Sequence, residues 1–60
     1  MIASAFIDGV LHWICRIEGG MFQVRKDNGK DYGWETIYTG PRMMCEAVLD
    51  NLCDNANEWE

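Results

Sequence analysis

The sequence predicts an α+β fold: a small antiparallel β-meander of three or four strands with one C-terminal helix packed on one face. Three observations carry that expectation. Apolar residues near the chain end recur at helical spacing. The dipeptides Asp8-Gly9, Gly19-Gly20 and Asn28-Gly29 punctuate the first forty residues, and the runs between them are rich in β-branched and aromatic side chains. Sixty residues at 48% apolar content read as one domain (1–60). That length lies near the lower limit for folding without disulfides, metal or self-association, and leaves little room for a deep, walled active site.

The first strand is expected over residues 2–7. Ala3, Phe6, Ile7, Val10, Ile14 and Ile17 also fit a helix, but Gly9 in its middle would cost about 1 kcal/mol against Ala, which favours the strand. Each glycine dipeptide can supply the positive φ of a tight hairpin. The second strand is placed at 10–18 and the third at 21–27, joined by a two-residue loop at Gly19-Gly20. That loop sets Ile17 opposite Phe22 and Cys15 opposite Val24. A three-residue loop over Asp27-Asn28-Gly29 leads to the fourth strand, 31–38, with Val24 opposite Tyr32 and Phe22 opposite Trp34. Together with Leu11 and Trp13 these residues form one apolar face, with both tryptophans in the core. The other face then receives Val10, Ile14, Met21 and Ile37 among Arg16, Gln23, Arg25 and Glu35. An exposed apolar patch of that kind marks a contact surface, so these four residues are candidate dimer or second-contact residues.

The helix is predicted over 41–56. Gly40 can serve as its N-cap and Pro41 as its first residue, where the missing N–H costs nothing. Cys45, Val48, Leu49, Leu52, Cys53 and Ala56 make the apolar stripe that should lie on the sheet. On the opposite side Glu46, Asp50, Asp54 and Glu58 fall at a strict interval of four.

The formal net charge of −5 is unevenly placed. Through Arg42, the basic Arg16, Arg25, Lys26, Lys30 and Arg42 balance Asp8, Glu18, Asp27, Asp31 and Glu35. Beyond it, Glu46, Asp50, Asp54, Glu58 and Glu60 face no Lys or Arg. Like charges at i, i+4 each cost a few tenths of a kcal/mol, and acids in the last turns oppose the helix dipole. A marginal domain that keeps both penalties points to a use for the row, since local rules break at functional sites. Carboxylates stepped by about 6 Å form a linear negative array suited to a basic groove built for a phosphate backbone. Glu46, Asp50, Asp54 and Glu58 are therefore the candidate partner-binding residues. Direct nucleic-acid binding is disfavoured, because phosphate contacts need Lys or Arg.

No catalytic or nucleotide-binding signature stands in the chain. His12, Cys15, Cys45 and Cys53 carry zinc-ligand atoms, but Cys45 and Cys53 are eight residues apart on one helix, about 12 Å along its axis. Zn–S bonds are about 2.3 Å, so one ion cannot reach both. In a strand His12 and Cys15 point to opposite faces, which also separates them as a nucleophile pair. Buried, inert cysteines are expected, with no metal, no cofactor and no enzymatic activity. Three cysteines without a paired spacing, no basic leader in Met1 to Ile7 and no apolar run of spanning length fit a cytoplasmic protein with reduced thiols.

In size, acidity and lack of catalytic chemistry the chain resembles the small inhibitors that bacteriophages encode against host nucleic-acid enzymes, anti-CRISPR proteins included. This resemblance rests on length and charge. It implies a non-enzymatic protein of the host cell cytoplasm that occupies a nucleic-acid groove or locks a conformation of a nucleic-acid-handling partner, in some cases as a homodimer. The alternatives are a self-associating structural or assembly protein using the open sheet face, or a zinc-binding module. The strand–strand–strand–helix order with Trp34-Glu35-Thr36 and Glu46-Ala47 is also similar to the small DNA-binding domains of phage integrases, which are basic where this helix is acidic.

Overall fold

A computed structural model describes residues 3–57, with side chains through Asp54. Four antiparallel strands follow one another across a single sheet: β1 (Ala3–Ile7), β2 (Val10–Arg16), β3 (Phe22–Asp27) and β4 (Trp34–Gly40). The helix α1 (Arg42–Asn57) lies across one face and touches all four strands. The predicted meander and C-terminal helix are both present.

The first hairpin turns where the sequence places it. Asp8 (φ 53°) and Gly9 (φ 79°) both adopt the left-handed conformation of a two-residue turn, and Ile7 pairs with Val10. Residues 3–7 are strand rather than helix, and Ile2 lies outside the described residues.

The other two connections are longer than expected, and this changes the register. At Gly19-Gly20 the chain makes a single 3-10 turn, Glu18–Gly20, with both glycines at positive φ and the Ile17 N–H donating to the Met21 carbonyl at 2.9 Å. The loop therefore takes five residues instead of two. Phe22 pairs with Arg16, not Ile17, and Val24 pairs with Ile14, not Cys15. Because side chains alternate along a strand, this one-residue slip exchanges the two faces of β2. Ile14 turns inward to zero exposure, while Leu11, Trp13 and Cys15 turn to the face without a helix.

The connection between β3 and β4 spans residues 28–33 rather than Asp27-Asn28-Gly29. Gly29 (φ 103°) and Gly33 (φ 68°) both provide left-handed positions. The loop is closed by the Asn28 N–H on the Gly33 carbonyl (2.8 Å) and the Gly33 N–H on the Gly29 carbonyl (3.1 Å). Asp27 Oδ1 accepts from the Gly29 N–H at 2.9 Å, and Asn28 Nδ2 donates to Glu35 Oε1 at 2.8 Å. Val24 consequently pairs with Tyr38 rather than Tyr32, and Phe22 with Gly40 rather than Trp34. Tyr32, expected in the core, stands exposed on the loop. A bulge then inserts Ile37 on β4 opposite the Val24/Arg25 step. Four residues apart, Trp34 and Tyr38 would share a face in a regular strand; the bulge puts them on opposite ones.

The core is Ile7, Ile14 and Val24 from the sheet with Cys45 and Leu49 from α1, flanked by Ala3, Ala5, Phe22, Tyr38, Val48, Leu52 and Cys53. The predicted helical stripe through Cys53 packs as expected, and Ala56 lies outside the described side chains. The helix begins one residue later than predicted. Pro41, rather than Gly40, offers the carbonyl that takes the first helical bonds, from the N–H groups of Met44 (3.1 Å) and Cys45 (3.0 Å). Gly40 instead ends β4, buried beneath the Tyr38 ring.

That contact makes Gly40 a packing requirement. A Cβ there would stand 2.8 Å from Tyr38 Cε2 and Oη, inside any real contact. Gly40→Ala is expected to cost about 1–3 kcal/mol, the range for overpacking, read from the urea midpoint. In a Tyr38→Ala background the same change should cost markedly less; equal costs would show that the ring is not the obstacle.

Candidate functional site

Two surfaces stand out, on opposite sides of the molecule. The first is the outward side of α1. Asp50 and Asp54 are exposed there, away from the side that buries Cys45 and Leu49. Glu46 has an internal partner, contrary to expectation. Arg42 Nε donates to its Oε2 at 3.0 Å, with both side chains about half exposed. Such an i, i+4 pair is worth about 0.3–0.5 kcal/mol and neutralises the first step of the acidic row. It is the only ion pair among the described residues, so Asp50 and Asp54 carry uncompensated charge. Glu58 lies outside the described residues, as does Trp59.

The second surface is the sheet face that α1 leaves open. Strand pairing arranges its side chains in rows. Phe6, Leu11, Asp27 and Trp34 form one row, and Ser4, Trp13, Arg25 and Thr36 the next. Phe6 is 75% exposed and Trp34 53%. The Trp13 and Trp34 rings meet edge to face, with centroids 6.5 Å apart at 73°. The Arg25 guanidinium lies 4.1 Å from the Trp34 ring centroid and is steadied by Gln23 Oε1, which accepts from its Nε at 3.0 Å and its second terminal nitrogen at 2.6 Å. Thr36 also donates to Gln23 Oε1 at 3.4 Å, and Gln23 Nε2 to Thr39 Oγ1 at 3.3 Å. Beside the tryptophans lies a shallow hollow of about 380 Å³, bordered by Leu11, Trp13, Trp34 and the Gly29–Gly33 loop with Lys30.

The open-face assignment from sequence is therefore corrected in its membership. Ile14 is at the centre of the core, and half-buried Val10 pairs with Ile7 on the helix side. Met21 sits in the loop before β3, and Ile37 at the β4 bulge. Of these four, Met21 and Ile37 are partly exposed (36% and 38%), and neither belongs to the Phe6–Trp34 row. Trp13 and Trp34, expected in the core, occupy the open face. The signal for them existed: an alternation of Leu11, Trp13 and Cys15 against Val10, His12 and Ile14 left two apolar faces, and only loop length chooses between them.

His12 is buried on the helix side, its Nδ1 donating to the Val10 carbonyl at 2.9 Å. Cys15 is on the opposite sheet face, half-buried, and Cys45 is buried beneath α1. No group of three His, Cys, Asp or Glu side chains converges among the described residues. None of the described helices is long and apolar enough to cross a membrane.

Fold and surfaces define a small antiparallel sheet with one helix, acidic outside the helix and aromatic on the far sheet face. No protein family, curated protein or solved structure matches the chain.

Proposed function

We propose that this chain is a small non-enzymatic inhibitor, of the type phages direct against host nucleic-acid machinery such as CRISPR complexes, and that it binds a basic surface of such a partner through α1. The observation that carries the reading is the segregation of charge. Asp50 and Asp54 stand on the outer side of the helix with no ion-pair partner among the described residues, while the chain through Arg42 is balanced. A stepped line of carboxylates can take the place of nucleic-acid phosphates in a cationic groove, and raises encounter rates by about 10–10³-fold at low salt. Glu46 contributes less than its position suggests, because Arg42 already holds it.

Affinity capture from the native host, followed by binding measurements on the captured partner, tests this. Raising salt from 50 to 500 mM should weaken binding at least tenfold, because exposed charges more than a Debye length apart are screened. Glu46→Ala/Asp50→Ala/Asp54→Ala should weaken it comparably at low salt, chiefly through a slower association rate. The partner's own DNA or RNA should compete. Binding indifferent to salt and to the triple substitution would overturn the reading.

A further inference from the structure

We propose that the open sheet face is a homodimer interface, in which the Phe6–Trp34 row of one copy packs against the same row of a second copy. Self-complementarity of the face is the reason for choosing a second copy as its occupant. Consider a two-fold axis between two facing sheets and parallel to their strands. It lays β1 over β4 of the second copy and β2 over β3. Phe6 then meets Trp34 of the second copy beside the 380 Å³ hollow, and Trp13 meets the second copy's Arg25. Both are favourable pairings, aromatic on aromatic and cation on indole. Leu11 falls against Asp27, whose carboxylate is held by the Gly29 N–H at 2.9 Å.

Area supports the same occupant. Strands of five, seven, six and seven residues, about 4.8 Å apart and at about 3.4 Å per residue, give a face of about 400 Å² in plan. With the relief of Phe6, Trp13 and Trp34, pairing removes about 1,200 Å² in total from water, the lower bound for a specific stable interface. Net charge does not oppose it. The exposed, unpaired Asp50 and Asp54 lie on the outer side of α1, and face-to-face sheets hold the two helices about 30 Å apart, three layer spacings of about 10 Å. The Debye length is about 8 Å at physiological salt, so the ridges do not sense each other. A domain with five buried apolar side chains among the described residues also lies in the size range where self-association commonly supplies stability. The inference stands apart from the proposed function: a dimer would display two acidic ridges on its outer surfaces, but would form whether or not they bind a partner.

Sedimentation velocity of the full chain between 1 and 200 µM tests it. A concentration-dependent shift from the 6.9 kDa monomer to a dimer is expected, with a blue shift in tryptophan emission. Phe6→Lys should weaken self-association by about 30-fold or more, the effect of removing an aromatic anchor, while leaving the circular dichroism spectrum unchanged, since Phe6 is exposed in the monomer. Met43→Lys, at a residue equally exposed on the first turn of α1, should leave the dimer intact, as should the triple acidic substitution. A monomer at 200 µM overturns the proposal. So does a dimer that survives Phe6→Lys, or one that Met43→Lys or the acidic triple dissociates.

Discussion

Ile14→Lys is expected to unfold the protein. Ile14 has no exposed surface and sits between Ala3 on β1 and Val24 on β3, directly under α1. Even Ile14→Ala should cost about 2–5 kcal/mol through lost burial and the cavity left behind. Sixty residues at about 0.05–0.15 kcal/mol each give a total stability of about 3–9 kcal/mol, so the alanine variant removes most of it. Lysine adds an unpaired charge with no water to solvate it. Urea denaturation followed by far-ultraviolet circular dichroism reads the outcome: a large midpoint drop for Ile14→Ala and no cooperative transition for Ile14→Lys. Leu11→Ala, on the open face of the same strand, should cost far less. Equal costs at Leu11 and Ile14 would mean that β2 presents the opposite face to the helix.

Cys45 should resist alkylation by a factor of about 10³ or more relative to the unfolded chain, while half-buried Cys15 and Cys53 react first. Its side chain has zero exposure beneath α1, with Sγ directed at the Gly40 carbonyl at 3.7 Å. Burial pushes its thiol above the ordinary 9.0; the Gly40 contact offsets part of that, and the charge of Cys15 across the sheet adds to it. Access and ionisation both have to wait for opening, so the reaction rate follows the open population. The sign of the pH effect follows from the same shift. Below about pH 9 the thiol is neutral in both states and the contribution is fully present. Above it the unfolded chain ionises while the folded one does not, so stability falls as pH rises toward the folded value. Mass spectrometry of iodoacetamide-treated protein at pH 8, native and in urea, resolves the three sites. Native Cys45 labelling as fast as Cys15 would place the helix off the sheet.

Both results depend on which sheet face is inside, and local sequence leaves that open. The strands, the turn at Asp8-Gly9, the helix after Pro41 and its stripe from Cys45 to Cys53 follow from residue spacing and turn chemistry. So does the placement of Asp50 and Asp54 on the outer side of α1. Those are local properties: a period of 3.6 or 2, a left-handed glycine, a missing proline N–H. The acidic ridge was legible for the same reason, except that the Arg42–Glu46 pair neutralises its first member. The open-face candidates were not, because three of the relevant decisions sit in loops and a bulge.

The amino-acid sequence alone determined the element order, the hairpin at Asp8-Gly9, the covered side of the helix and the location of the net charge. Only the tertiary structure decided that Ile14, Val24 and Tyr38 lie on the helix side of the sheet while Trp13 and Trp34 lie on the open side. The physical reason is parity. A strand alternates with period two, so a one-residue slip in pairing at the Gly19-Gly20 loop and one bulged residue at Ile37 exchange inside for outside. Both faces of β2 are apolar enough to be buried, and the choice falls to the side where Ala3, Ala5 and Gly40 are small enough to admit the helix.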